Sequence, residues 1–448
     1  MELFEEANEL HRARKFDEAE KLYDKLLTQN PDNAGLMATI GTLYLQTNRV
    51  GLAVHFLKAA AEKLPQQSEV LSNLGLAYKN CGQRERSIKY LERACKYNPT
   101  AEALSNYGGL FTQTANPSKA IELCTRAIAK NPEMVIAHWN LSLALLESGQ
   151  WDKGWDEHEW GLKTAVNSSK MRVDRQIGNV PYWDGTPDKT VAVYGEQGLG
   201  DEIMFSSMIP DLMKTNKVLL ECHPRLERLF WQSFGVKCFG TREQDDPQWV
   251  KDNPFDYRIS IGSLGKFYRR SKEAFPGTPY LKSEILPTND KFRVGISWTG
   301  GMKASRVATR SVPLSWWKPI LSQQDVEFVS LQYTDCDEDL EMMKKDGFDI
   351  KTFKEVKEFD YSETAKVVKS CDLVISVCTS VIHLAGALGV PCWVMVPNKP
   401  AWRYGVQGRM PWYQSVRLYR QKDSWLPVVE LISEDLRQLL NDLNQKVA

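Results

Sequence analysis

Four prolines, Pro31, Pro65, Pro99 and Pro132, recur at intervals of 34, 34 and 33 residues. No other feature constrains the first third of the chain as tightly. A period in this range marks stacked helix pairs, each leaving an apolar face for its neighbour to cover. Between the prolines, Gly41-Thr-Leu-Tyr44, Gly75-Leu-Ala-Tyr78 and Gly108-Gly-Leu-Phe111 fall on the first helix of each pair. Ala53, Ser87 and Ala120 open the second helix, and Ala60, Ala94 and Ala127 lie near its end. Small residues there let two helices approach closely, while Tyr44, Tyr78 and Phe111 fill the layer between repeats. The first unit is partial and keeps Ala19, Tyr23 and Pro31. A fifth, AHWNLSLALLESGQWDKGWDEHEW, loses the small residues and gains Trp151, Trp155 and Trp160. That is the pattern of a capping unit whose aromatics dock on the next domain.

This repeat resembles the tetratricopeptide family over residues 1–165. Asn73, Asn106 and Asn140 hold one position in three successive units. An amide can pair with both the C=O and the N–H of an extended peptide, so the three would line a peptide groove for a protein partner. The arrangement resembles the asparagine ladder of O-linked N-acetylglucosamine transferase. The alternative is that neighbouring helices satisfy these amides.

Charges balance at 57 basic and 57 acidic residues, so there is no electrostatic footprint for nucleic acid. Nine cysteines are scattered without a CxxC pair, which suits reduced thiols in a cytoplasmic protein better than a disulfide framework or zinc site. MELFEEANEL is acidic and amphipathic, unlike a signal peptide. No apolar run approaches the roughly 20 residues that span a bilayer.

Residues 166–189 lack an apolar period and contain Gly178, Pro181, Gly185 and Pro187, as a linker does. Trp183 within it is expected to pack on a domain. Beyond it the chain alternates short apolar runs with helical patterns, predicting parallel α/β structure in two halves, 190–288 and 289–448. Strands are expected at 190–194, 218–222, 257–261, 292–298, 326–332, 373–377 and 392–396.

Three turns concentrate chemistry at the strands' carboxyl ends, where open α/β sheets hold ligands. After the first strand comes Gly195-Glu-Gln-Gly198-Leu-Gly200-Asp201, which is neither a P-loop nor GxGxxG. Asp201 has two candidate jobs there, a helix N-cap or a general base, and spacing alone favours the cap. Thr299-Gly300-Gly301 follows Trp298, bringing Lys303, Arg306 and Arg310 near the edge, and Gln332 ends the next strand. Cys378-Thr379-Ser380 opens a helix on which His383 shares a face with Thr379. A helix N-terminus offers only about half a positive charge, too little for a diphosphate carrying about two negative ones. Arg310, Lys303, Lys399 and Arg403 are the cations available; Trp402 and Tyr404 beside Arg403 suggest a planar surface for a base or sugar, with ordinary packing the alternative for Trp402. Asp335 and Asp337 read better as the acidic first turn of a helix than as a metal pair.

Taken in order, GEQGLGDEIMF, ISWTGG, RSVPL, VSLQ, TSVIHLAGALGVPCWVMVP and AWRYG resemble the blocks of heptosyltransferase-like (family 9-like) glycosyltransferases fused to tetratricopeptide repeats. The similarity spans nearly the whole chain. It implies an α-solenoid followed by a GT-B pair of Rossmann-like halves, and metal-independent transfer from a nucleotide-sugar donor without a cofactor. On that resemblance Asp201 is the general base. The donor-binding set is Gly198, Gly200, Trp298, Lys303, Arg310, Gln332, Thr379, Ser380, His383, Trp402 and Arg403. Where the family's turn usually begins Asp-Thr, this chain has Cys378, which leaves a non-catalytic scaffold as the alternative. The nucleotide, sugar and acceptor are not specified by these motifs.

Overall fold

The computed structural model describes residues 2–112, 116–163, 172–300 and 307–447. It divides into two compact units, Met1–Ala144 and Leu145–Ala448. The sequence drew its first boundary at 165. The packing division falls earlier because the helix Trp151–His158 belongs with the α/β part.

In the first unit, paired helices run Glu2–Arg12 with Phe16–Gln29, Ala34–Gln46 with Val50–Lys63, Ser68–Asn80 with Arg84–Tyr97, and Ala101–Phe111 with Pro117–Lys130. Asn33, Thr100 and Asn116 each accept a backbone N–H at their helix's start, satisfying donors that a helix leaves unpaired. The small residues act as expected. A Cβ on Gly41 or Gly75 would sit 2.6 Å from Cγ of Leu57 or Leu91, and one on Gly108 2.5 Å from Cys124 Sγ. Ala53, Ser87 and Ala120 are fully buried, and Tyr44 and Tyr78 are buried between layers.

The second unit holds two sheets, every ladder parallel. The first has β1 (Thr190–Tyr194), β2 (Lys217–Glu221), β3 (Lys237–Phe239) and β4 (Tyr257–Ser260), in the order β3-β2-β1-β4. The second has β5 (Phe292–Ser297), β6 (Val326–Ser330), β7 (Ile350–Lys351), β8 (Leu373–Val377), β9 (Cys392–Val396) and β10 (Val416–Arg420), in the order β10-β9-β8-β5-β6-β7. Both orders reverse direction once, between β1 and β4 and between β5 and β8. Such a switch point opens a crevice beyond the strands' carboxyl ends. Residues 172–189 are built into this unit. Trp183 packs on Phe267, with ring centroids 4.6 Å apart, and Tyr182 Oη accepts the Ser260 N–H.

Candidate functional site

The two switch points are furnished differently. At the first, Glu196 follows β1 and accepts from Ser260 Oγ and the Gly262 N–H at the end of β4. Arg172, whose side chain is fully buried, donates to both Glu196 oxygens at 3.0 Å. It also reaches Ser260, Ser263, His158 and Glu159. The crevice is filled by paired charge.

At the second, Arg310 bridges the two strand ends. Its Nη1 donates to the Cys378 carbonyl and its Nη2 to that of Gly300, each at 3.1 Å. Arg420, the last residue of β10, donates to the carbonyls of Tyr404 and Gly405. Arg403 pairs with Asp201 from the first half. All three guanidiniums act electrostatically on the Cys378 thiol. The helix Ser380–Leu388 begins here, with Thr379 Oγ1 accepting the Val381 N–H.

Asp201 occupies a different position from the expected N-cap. The helix starts at Leu199, so Gly198 is the cap, and Asp201, three residues in, accepts the Gly198 N–H through Oδ2. Its Oδ1 takes Arg403, so both oxygens are engaged. Gly200 lets the two turns meet: a Cβ there would lie 3.0 Å from His383 Cδ2 and 3.3 Å from Ser380 Cα. Ser380 Oγ pairs with Tyr361 Oη at 3.0 Å, and His383 Nδ1 with Tyr413 Oη at 3.2 Å. Burial, joined by the Arg403 charge, holds the His383 imidazole well below its ordinary pKa, so it is neutral.

Several expected site residues have structural duties instead. Trp298 is buried and donates through Nε1 to Asp339 at 2.7 Å, as a core ring with a satisfied polar edge. Gln332 is buried and holds the Thr299 turn, accepting from Ser297 Oγ and the Thr299 N–H and donating to Thr334. Trp402 is 8 % exposed, with centroids of Trp155, Phe205 and Trp412 within 6.5 Å. Packing, rather than an open face for a base, is its role. Burial pushes the Cys378 thiol up to about 11, which keeps it protonated and unreactive. Asp337 opens the helix Asp337–Lys345, with Asp335 accepting its N–H. Lys399 is exposed, and Lys303 and Arg306 lie outside the described residues.

In the repeats, each asparagine amide donates to the preceding unit. Asn73 Nδ2 reaches Thr42 Oγ1 and Asn106 Nδ2 reaches Ser72 Oγ, each at 3.0 Å, and Asn140 Nδ2 reaches the Ser105 carbonyl at 3.4 Å. Each amide is thus held by the unit before it, through a hydroxyl for Asn73 and Asn106 and a backbone carbonyl for Asn140.

The sequence reading did not single out Arg420, Tyr413 or Glu147. Glu147 ends the helix Val135–Glu147 and is 3 % exposed. Its backbone carbonyl borders Gly405, whose absent Cβ would lie 3.7 Å away. One Glu147 carboxylate oxygen, Arg403 Nε and Trp412 Nε1 are buried without a hydrogen-bond partner among the described residues. An orphaned buried polar atom is uncommon in a folded protein, and these three border one loop, 402–412.

Comparison with known proteins bears mainly on the repeats. Tetratricopeptide-repeat family patterns match residues 10–72, 68–100 and 113–154. Protein FlbA of Caulobacter vibrioides is 25 % identical over 460 aligned positions, covering 94 % of this chain and 75 % of FlbA. Among solved structures, MamA is 23 % identical with a TM-score of 0.31, covering 35 % of this chain and 92 % of its own. TTC0263, a tetratricopeptide-repeat protein of Thermus thermophilus, is 18 % identical with a TM-score of 0.33, covering 38 % and 93 %. No helix among the described residues is long and apolar enough to cross a membrane. The N-terminal region of this chain therefore carries tetratricopeptide repeats, over residues 10–100 and 113–154.

Proposed function

We propose that the α/β unit transfers a sugar from a nucleoside-diphosphate donor to an acceptor hydroxyl, and that the repeats hold a protein partner along the amides of Asn73, Asn106 and Asn140. One observation carries this reading: Arg310, Arg403 and Arg420 gather around the turn at Cys378, beside a helix N-terminus, with Arg403 paired to Asp201. Positive charge of that density, in a site largely closed to water, suits a diphosphate better than any neutral ligand. The pairing of the two carboxyl edges agrees with a GT-B arrangement of halves.

The chemistry follows from the Asp201–Arg403 pair. An incoming diphosphate competes for the Arg403 guanidinium and separates the Asp201 carboxylate from it. Asp201 then takes the proton of the acceptor hydroxyl as that oxygen attacks the anomeric carbon. The sugar–phosphate bond breaks, and the guanidiniums receive the charge growing on the departing diphosphate. Without a donor the base stays neutralised, which protects the site from idle reaction.

A second reading has its own support. Cys378 stands where an aspartate is usual in the resembling family, Asp201 has both oxygens engaged, and Gly200 packs on Ser380 and His383. These features suit a scaffold whose α/β unit binds an anion without turnover. Mass spectrometry of reactions offering mixed nucleotide sugars and cell extract separates the two. Transfer is expected for the wild type and lost in Asp201→Asn with donor binding retained. Binding without transfer by either protein selects the scaffold.

A further inference from the structure

We propose that Glu147 sets how tightly the second switch point holds its anion, by adding or withdrawing one negative charge beside Arg420. This rests on the anion-site reading above. Glu147 is 3 % exposed and one of its oxygens has no partner among the described residues. It has no ion pair within bonding distance in the described structure, and Arg420 is the charge that acts on it. Arg420 spends its donors on the Tyr404 and Gly405 carbonyls, not on a carboxylate, so its charge is offset only from a distance. A buried carboxyl in this setting resists ionising: burial pushes Glu147 up to about 7, against the opposing pull of Arg420.

The other groups around this loop hold their state across the same range. His383 stays neutral, and burial keeps Cys378 and Tyr404 protonated. Arg403 remains charged against Asp201. Below about pH 7 the neutral Glu147 therefore leaves the charge of Arg420 undiminished. Above it, the carboxylate cancels part of that charge. By linkage, an anion seated at the site raises the Glu147 pKa further, so binding draws in a proton near neutral pH.

The test is calorimetric titration of inorganic pyrophosphate into the full chain at pH 6 and pH 8.5, for wild type, Glu147→Gln and Arg403→Ala. Taking the ratio of Glu147→Gln to wild type at each pH removes the ligand's own ionisation. The expected ratio is near one at pH 6 and favours the variant on the order of tenfold at pH 8.5. Glu147→Leu, which removes the charge without asking for a hydrogen bond, serves as a second variant and should show the same trend. A ratio that does not change with pH, while wild type binds and Arg403→Ala does not, overturns the role of Glu147 alone. Absence of wild-type binding, or equal binding by Arg403→Ala, overturns the anion site and this inference together.

Discussion

The two switch points of the α/β unit occupy equivalent places in their sheets and have been put to opposite use. Between β1 and β4, Arg172 and Glu196 form a buried pair whose remaining polar atoms reach serines, His158 and Glu159. Between β5 and β8, guanidiniums crowd a turn and lean on backbone carbonyls, with orphaned polar atoms beside them. A saturated network specifies one structure. An undersatisfied one keeps capacity for something yet to arrive. The difference marks the first crevice as structural, and the function proposed above places ligand binding at the second.

The largest expected effect tests the first crevice. Arg172→Met strands the Glu196 carboxylate in the interior and should lower stability by about 3–5 kcal/mol, read by urea unfolding. A loss under 1 kcal/mol would erase the contrast between the crevices. At the second, Glu147→Gln should act in the other direction. The folded carboxyl titrates about 7 against an ordinary 4.5, so the unfolded chain ionises first and wild-type stability falls as pH rises between those values, then levels off. The variant should be more stable at pH 8 by at most about 3 kcal/mol and indistinguishable at pH 4. Equal stabilities at both would place Glu147 in contact with water.

Smaller effects sharpen the picture. Gly200→Ala presses a methyl onto His383 and should cost about 1–3 kcal/mol while weakening donor binding. Unchanged unfolding and binding would mean that the two turns stand apart in solution. Asn106→Ala removes the bond to Ser72 Oγ and should cost about 0.5–1.5 kcal/mol without touching anion affinity. A change in affinity would deny the division of labour between repeats and α/β unit.

Much of the frame was legible in sequence, for identifiable reasons. β1, β8 and β9 are short apolar runs bounded by turn residues, so their ends were read as they stand. The repeats announced themselves by period and by glycines that physically need to be small. What failed was pairing that only tertiary structure creates. VRLYR, with Arg417 and Arg420 interrupting its apolar residues, did not register as the edge strand β10, so Arg420 was missed. Arg172 lay in a stretch read as linker, and Glu147 at the end of a degenerate repeat gave no sign of burial. Trp298, Gln332 and Trp402 sit at strand ends or beside an arginine, where position suggested a ligand; packing and hydrogen bonds use them instead.

The central claim is that an anionic donor seats at the turn begun by Cys378 and displaces Asp201 from Arg403. The most direct measurement is the affinity of the full chain for a panel of nucleoside diphosphates, compared among wild type, Arg403→Ala and Asp201→Asn. The account predicts saturable binding of at least one diphosphate, weakened at least tenfold in Arg403→Ala and strengthened in Asp201→Asn, which no longer competes for the guanidinium. Binding indifferent to both substitutions, or no binding by the wild type, would contradict it.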